Sequence, residues 1–147
     1  MMMLSKNLSK AEFEHSETAK TLGVSNVMTV QHTENAKLLA EKVFQPIRER
    51  RGSAIKINSG YRSPELNKRI GGSATSQHCK GEAVDLPLSK EEFLWVKDNL
   101  VFDQLIYEFG NDERPSWVHI SYSSKKNRKQ VLRAIKENGK TKYIPYK

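Results

Sequence analysis

Apolar positions along the chain change from helical spacing to alternation, and that change divides the sequence. Ser9 followed by Glu12 fits a capping box with Phe13 behind it, and Ser16 to Leu22 predicts a second short helix closed by Gly23. From Thr33 to about Arg50, Leu38, Leu39, Val43 and Ile47 recur at the interval of a helix face. Thr33 is read as the cap of this helix, Pro46 as a late kink or break, and Gly52 as its end. Residues 1–32 thus read as a short helical leader. Ala54 to Asn58 (AIKIN) alternates and predicts a short strand, SGYRSP a turn, and Glu65 to Ile70 a short helix stopped at Gly71-Gly72. Ser73 to Gly81 is polar loop, and Ala83 to Leu86 a buried strand. Ser89 caps a helix running to about Asn99, where Glu91 and Glu92 suit the positive end of the helix dipole. Gln104–Phe109 and Trp117–Tyr122 predict a hairpin around NDERPS. A last hairpin has arms near Val131–Lys136 and Lys142–Ile144 and turns at Asn138-Gly139. Helices come first and strands later, so the class is α+β, with helices packed on a small antiparallel sheet.

Length and composition narrow the possibilities. The 147 residues fit a single domain spanning 1–147, without repeat or linker. No apolar run approaches the roughly 18 residues of a membrane span, so no membrane insertion is expected. The opening MMMLSKNLSK lacks the apolar stretch of a secretory signal, and the expectation is a monomer made in the cytoplasm. With one cysteine, Cys79, an intrachain disulfide and a cysteine-rich metal site are both excluded. A metal would be held by His, Asp or Glu, and there are four histidines, His15, His32, His78 and His119. The net charge of +8, concentrated between Lys125 and Lys147, suits an anionic partner, nucleic acid or an acidic polymer such as cell wall, and equally a solvated basic face. No nucleic-acid motif accompanies it and no aromatic platform is interleaved with the lysines, so a nucleic-acid partner is not expected.

The chemistry concentrates in Ser76 to Asp85, S-Q-H-C-K-G-E-A-V-D. His78 ends a loop, and Asp85 lies on the strand that follows. His119, in W-V-H-I-S-Y, sits mid-strand among apolar residues. Imidazole and carboxylate both suit zinc, and three such ligands leave a fourth position open, as catalysis requires. Taken singly, each has a plainer reading: a loop histidine, a turn-capping aspartate, a hydrogen-bonded core histidine. Ser76, His78, Gly81, Ala83 and Asp85 match S-x-H-x-x-G-x-A-x-D, with S-G-Y-R-S-P (Ser59 to Pro64) upstream and W-V-H (Trp117 to His119) downstream. In this order the motifs resemble peptidase family M15, the zinc D-Ala-D-Ala carboxypeptidases and peptidoglycan endopeptidases. The leader H-S-E-T-A-K-T-L-G-V-S-N and the helix end Q-P-I-R-E are similar to a phage and bacterial branch of it. The resemblance covers nearly the whole chain and implies zinc held by His78, Asp85 and His119.

Hydrolysis also needs a base. Many members of the family carry Glu three residues before the last histidine, where this chain has Ser116. Glu108 and Glu113 remain. Glu108 is preferred, because one register of the hairpin sets it opposite His119 on one face, whereas Glu113 falls in the loop. Glu82 is set aside because alternation points it away from Asp85. Arg62 suits a substrate carbonyl or carboxylate, a role the resemblance supports, and an ion pair is its structural alternative. Ser76, Gln77 and Trp117 are candidates to touch substrate. Cys79 reads as a small buried or semi-buried thiol, His15 and His32 as surface or capping residues, and Trp95 as core. The expected function is a zinc peptidase acting on peptidoglycan stem peptides or cross-links, with peptidoglycan as partner. Without a signal, it would reach the wall through a membrane pore or on a phage particle. A non-catalytic wall-binding or virion module on the same fold is the main alternative, supported by Ser116, and a nucleic-acid binder the remoter one.

Overall fold

The computed structural model describes residues 1–147. The chain opens with a two-stranded ribbon, β1 (Met3–Ser5) and β2 (Leu8–Ser9), too short for any periodicity to announce. Helix α1 (Lys10–Glu14) starts at the Ser9–Glu12 capping box, and α2 (Glu17–Leu22) is capped by Ser16 and closed by Gly23. Leu4, Leu8, Phe13 and Met28 enter the same core as the rest of the chain, so residues 1–32 are built into the fold.

Helix α3 (Val30–Leu39) begins three residues before the predicted cap. Thr29, extended, accepts from His32 N–H, while Thr33 lies inside the helix, buried, with its hydroxyl donating to the Thr29 carbonyl. Two threonines four apart offer the same signal, and only the extended backbone at Thr29 decides between them. Pro46 does not end the helix, but the α-helical pattern is interrupted locally just before it. A π-helical turn at Ala40–Phe44 precedes it, with Gln45 N–H donating to the Ala40 carbonyl, and α4 (Gln45–Arg51) continues to Gly52. The wider turn absorbs the missing proline N–H.

The predicted strand at Ala54–Asn58 forms no ladder. Ile55 is buried and Lys56 exposed, as alternation requires, yet the segment meets the sheet only through the bridge Ser59–Asp85. There Asp85 N–H donates to the Ser59 carbonyl at 2.8 Å, and Asn58 N–H to the Asp85 carbonyl at 2.8 Å. This short tie places the SGYR turn beside Asp85. Helix α5 (Pro64–Arg69) is capped by Ser63, and a 3-10 turn at Gln77–Lys80 leads into β3 (Ala83–Leu86). Helix α6 (Lys90–Asn99) starts at a second capping box, Ser89 with Glu92.

Strands β4 (Gln104–Glu108), β5 (Trp117–Ser121), β6 (Gln130–Glu137) and β7 (Lys140–Pro145) complete a five-stranded sheet in the order β3-β5-β4-β6-β7. The class is α+β, but the sheet is mixed: β6 runs parallel to β4, and the other pairs are antiparallel. Asn138 and Gly139, at φ 53° and 77°, make the predicted turn.

Alternation gives this sheet two different faces. Val84, Leu86, Leu105, Tyr107, Val118 and Ile120 point into the core, where they meet residues of α3, the π turn, α4 and α6, such as Leu39, Phe44, Ile47 and Phe93. Trp95 sits at the margin of this core, half-buried beneath the Arg50 guanidinium. The opposite face carries Asp85, His119, Ile106 and Glu108 and floors an open cleft of about 1090 Å³. No helix is long and apolar enough to cross a membrane.

Candidate metal centre

Three elements of different origin converge at one end of this cleft. His78 lies in the 3-10 turn, whose start is held by Ser76 Oγ accepting from His78 N–H at 3.3 Å. The ring is fixed at its other side, with Nδ1 2.7 Å from the Gly60 carbonyl oxygen. A carbonyl only accepts, so Nδ1 carries the proton and Nε2 offers its lone pair, 3.3 Å from Asp85 Oδ1. Gly81 closes the turn at φ +73°, and a Cβ there would stand 2.4 Å from the His32 carbonyl oxygen. Gly81→Ala is therefore expected to cost at least about 2 kcal/mol and lower Tm by roughly 4–8 °C, measured by thermal unfolding.

Asp85 and His119 are direct cross-strand partners, so their side chains share a face. His119 Nδ1 lies 3.0 Å from Asp85 Oδ1, and the rings of His78 and His119 have centroids 5.2 Å apart at 67°. One ligand atom from each of the three residues lies within 4.8 Å of the others. Ligand atoms on a shared tetrahedral ion, with bonds near 2.0–2.2 Å, stand about 3.3 Å apart. The two separations to Asp85, 3.0 and 3.3 Å, match that spacing. Burial opposes ionisation of Asp85, but hydrogen bonds and charge from His119 and His78 outweigh it and hold the carboxyl well below its ordinary range. The cluster therefore presents an anionic oxygen and two imidazole nitrogens around one point, a donor set suited to a divalent cation.

Glu108 faces the same cleft, in a register different from the expected one. It pairs with Trp117, and Ile106 pairs with His119. The β4–β5 loop closes tightly: Asn111 N–H bonds the Arg114 carbonyl, and Asn111 Oδ1 accepts from Glu113 and Arg114 N–H. The pairing slips by two residues, and an even slip keeps Glu108 on the face of His119, as its diagonal neighbour. Glu108 as a residue is 7 % exposed. Burial pushes its carboxyl up to about 7, with His119 working against the shift and Asp85 adding to it. Glu113 and Ser116 are exposed on the loop. Glu82 borders the cleft among Lys80, Asp103 and Lys125, away from the cluster.

The other sequence candidates divide. Arg62 lines the cleft with one side-chain hydrogen bond, from Nη2 to Ser76 Oγ at 3.1 Å, and its Nε is buried without a partner. No carboxylate of the chain neutralises it, which removes the ion-pair alternative. Ser76 is thus occupied in orienting Arg62 and His78. Gln77 lines the cleft, but its amide donates to Asp103 Oδ2 at 2.8 Å. Trp117 packs edge-on against Phe109 at the cleft wall, centroids 5.5 Å apart. Cys79, His15 and His32 stand outside the cluster, His32 bonded to the Tyr61 hydroxyl.

Asp103 went unnoticed in the sequence. It is buried, holds Arg128 through two side-chain bonds of 2.9 and 2.8 Å, and accepts from Gln77. Hydrogen bonding to Arg128 is the main cause that lowers its carboxyl to about 2. A depressed carboxylate stabilises the fold above its unfolded value of 3.8, and that contribution disappears as pH falls through about 2. Asp103→Asn is expected to cost about 1–2 kcal/mol in urea unfolding at pH 7, and less at pH 3.

No curated protein matches the chain. The sequence model of the family described as peptidase M15 matches residues 6–121, a stretch that contains His78, Asp85, Glu108 and His119. With this match covering most of its length, and a cluster of His78, Asp85 and His119 able to hold a metal inside it, the chain belongs to the peptidase M15 family, a family of zinc metallopeptidases.

Proposed function

We propose that the protein is a zinc-dependent peptidase that hydrolyses peptide bonds in the stem peptides or cross-links of bacterial peptidoglycan. The observation that carries this reading is the convergence of His78, Asp85 and His119 beside a buried carboxylate, Glu108, in one open cleft. His78 and His119 would hold the zinc with Asp85. When bound, such an ion supplies Lewis acidity, polarising a carbonyl and making water more acidic. Glu108 takes the proton from the attacking water and delivers it to the leaving amine, a role suited to a carboxyl poised near neutrality. Arg62, held by Ser76 and free of any carboxylate, hydrogen-bonds the scissile carbonyl or a substrate carboxylate. Trp117 lines the wall beside Glu108. Arg62, which has no carboxylate partner in the cleft, favours a substrate that presents carboxylates, as stem peptides do. Ser116, which favoured a non-catalytic module, loses that weight because Glu108 supplies a carboxylate from the neighbouring strand. The protein would work as a monomer on the wall, in lysis, reaching it through a pore or on a phage particle.

The test is incubation of zinc-loaded protein with purified peptidoglycan. New amino termini should appear, stop with a chelator, and return with added zinc. No release by the zinc-loaded wild type defeats the proposal.

A further inference from the structure

Beyond the family-matched stretch, which ends at residue 121, the β6–β7 hairpin adds a wall to the cleft. Pairing registers carry one row of side chains across the sheet. Trp117 on β5 faces Glu108 on β4, Glu108 faces Ala134 on β6, and Ala134 faces Tyr143 on β7. All share the cleft face. Ala134 is fully buried beneath its neighbours, so Glu108 and Tyr143 are the members of this pair of steps that line the cleft. Adjacent strands are about 4.8 Å apart, which sets Glu108 and Tyr143 roughly 10 Å from each other at the backbone. Leu132 and Ile106 form the cleft floor from there toward His119. Tyr143 is 54 % exposed, an aromatic side chain with no hydrogen-bond partner inside the chain, standing across from the carboxylate expected to act as base.

We propose that Tyr143 is a substrate-binding residue, whose phenol donates a hydrogen bond to an oxygen acceptor of the peptide lying in the cleft beside Glu108. Partial burial raises this phenol above its ordinary range. It stays protonated and acts as a donor through the neutral range. The proposal rests on the peptidase reading for its substrate, a soluble stem peptide, but binding can be measured apart from turnover.

The experiment compares Kd for a defined muropeptide in zinc-loaded Glu108→Gln protein, alone and combined with Tyr143→Phe or Tyr146→Phe. Tyr146 packs on the opposite face against Phe93 and Tyr107 and serves as control. Loss of one hydrogen bond should raise Kd roughly 3- to 10-fold for Tyr143→Phe and leave it unchanged for Tyr146→Phe. With Glu108 intact, Tyr143→Phe should raise KM by the same factor at near-constant kcat. An unchanged Kd, or a loss of kcat at unchanged Kd, overturns the assignment. Wild-type protein that binds the muropeptide without cutting it defeats the peptidase reading, and the same Kd comparison still decides Tyr143. Absence of muropeptide binding overturns both.

Discussion

Glu108→Gln protein is expected to hold zinc as wild type does and to cleave peptidoglycan peptides about 10²–10⁴ times more slowly. Glutamine keeps the shape of the side chain and removes the proton acceptor. The position is costly to the fold, because Glu108 is buried and its carboxyl is pushed up to about 7 from an ordinary 4.5. A carboxyl raised in this way costs nothing below its unfolded value and destabilises progressively as pH rises from about 4.5 through 7. Metal-free Glu108→Gln should therefore be more stable than metal-free wild type at pH 8, by on the order of 1–3 kcal/mol, and equal to it at pH 4. A cation beside the carboxyl favours its ionised form, so the acid limb of kcat/KM in the loaded enzyme should fall between about pH 4.5 and 7. Lower activity joined to higher apo stability is the mark of a strained functional group. A glutamate that merely packs would show the stability change without the loss of turnover.

Asp85→Asn is expected to have the opposite stability effect. The side chain keeps its size but loses the charge that both imidazoles face at 3.0 and 3.3 Å. Zinc affinity should fall by at least about 100-fold, and activity at limiting metal should be lost. Because the Asp85 carboxyl is held below its ordinary value of 3.8, it stabilises the metal-free fold above that pH and ceases to as pH falls well beneath it. The metal-free variant should thus be less stable than wild type at pH 7, by about 1–3 kcal/mol, with the gap narrowing in strong acid. Zinc titration followed by thermal shift reads both effects, since a bound ligand raises Tm by mass action. Equal zinc-induced shifts in the two proteins would remove Asp85 from the site.

Much of the architecture follows from local chemistry, and the shortfalls have local causes. Both capping boxes, Ser9 with Glu12 and Ser89 with Glu92, and the Asn138-Gly139 turn are decided by neighbours in sequence. So is the pairing of Ala134 with Tyr143, because a two-residue turn fixes the register behind it. The parallel join of β6 to β4 is decided by nothing nearby, and without it Tyr143 cannot be placed beside Glu108. The register of β4 against β5 depends on how Asn111 and Gly110 tighten an irregular loop; Gly110 at φ +68° has no room for a Cβ against the Arg114 carbonyl. The expected partner of Glu108 was therefore wrong while its face was right. Asp103 gave no signal in the sequence, since its partners Gln77 and Arg128 lie 26 and 25 residues away. His78, Asp85 and His119 could be picked out together because the motifs around them resemble those of the M15 family, and the Asp85–His119 register brings them into one cluster.

Diffraction from zinc-soaked crystals, recorded on both sides of the zinc absorption edge, measures the centre directly. One anomalous peak should lie about 2.0–2.2 Å from His78 Nε2, an Asp85 carboxylate oxygen and His119 Nδ1, with a coordination position open toward the cleft. A peak at other side chains, or none at saturating zinc, would contradict a metal centre built from these three residues.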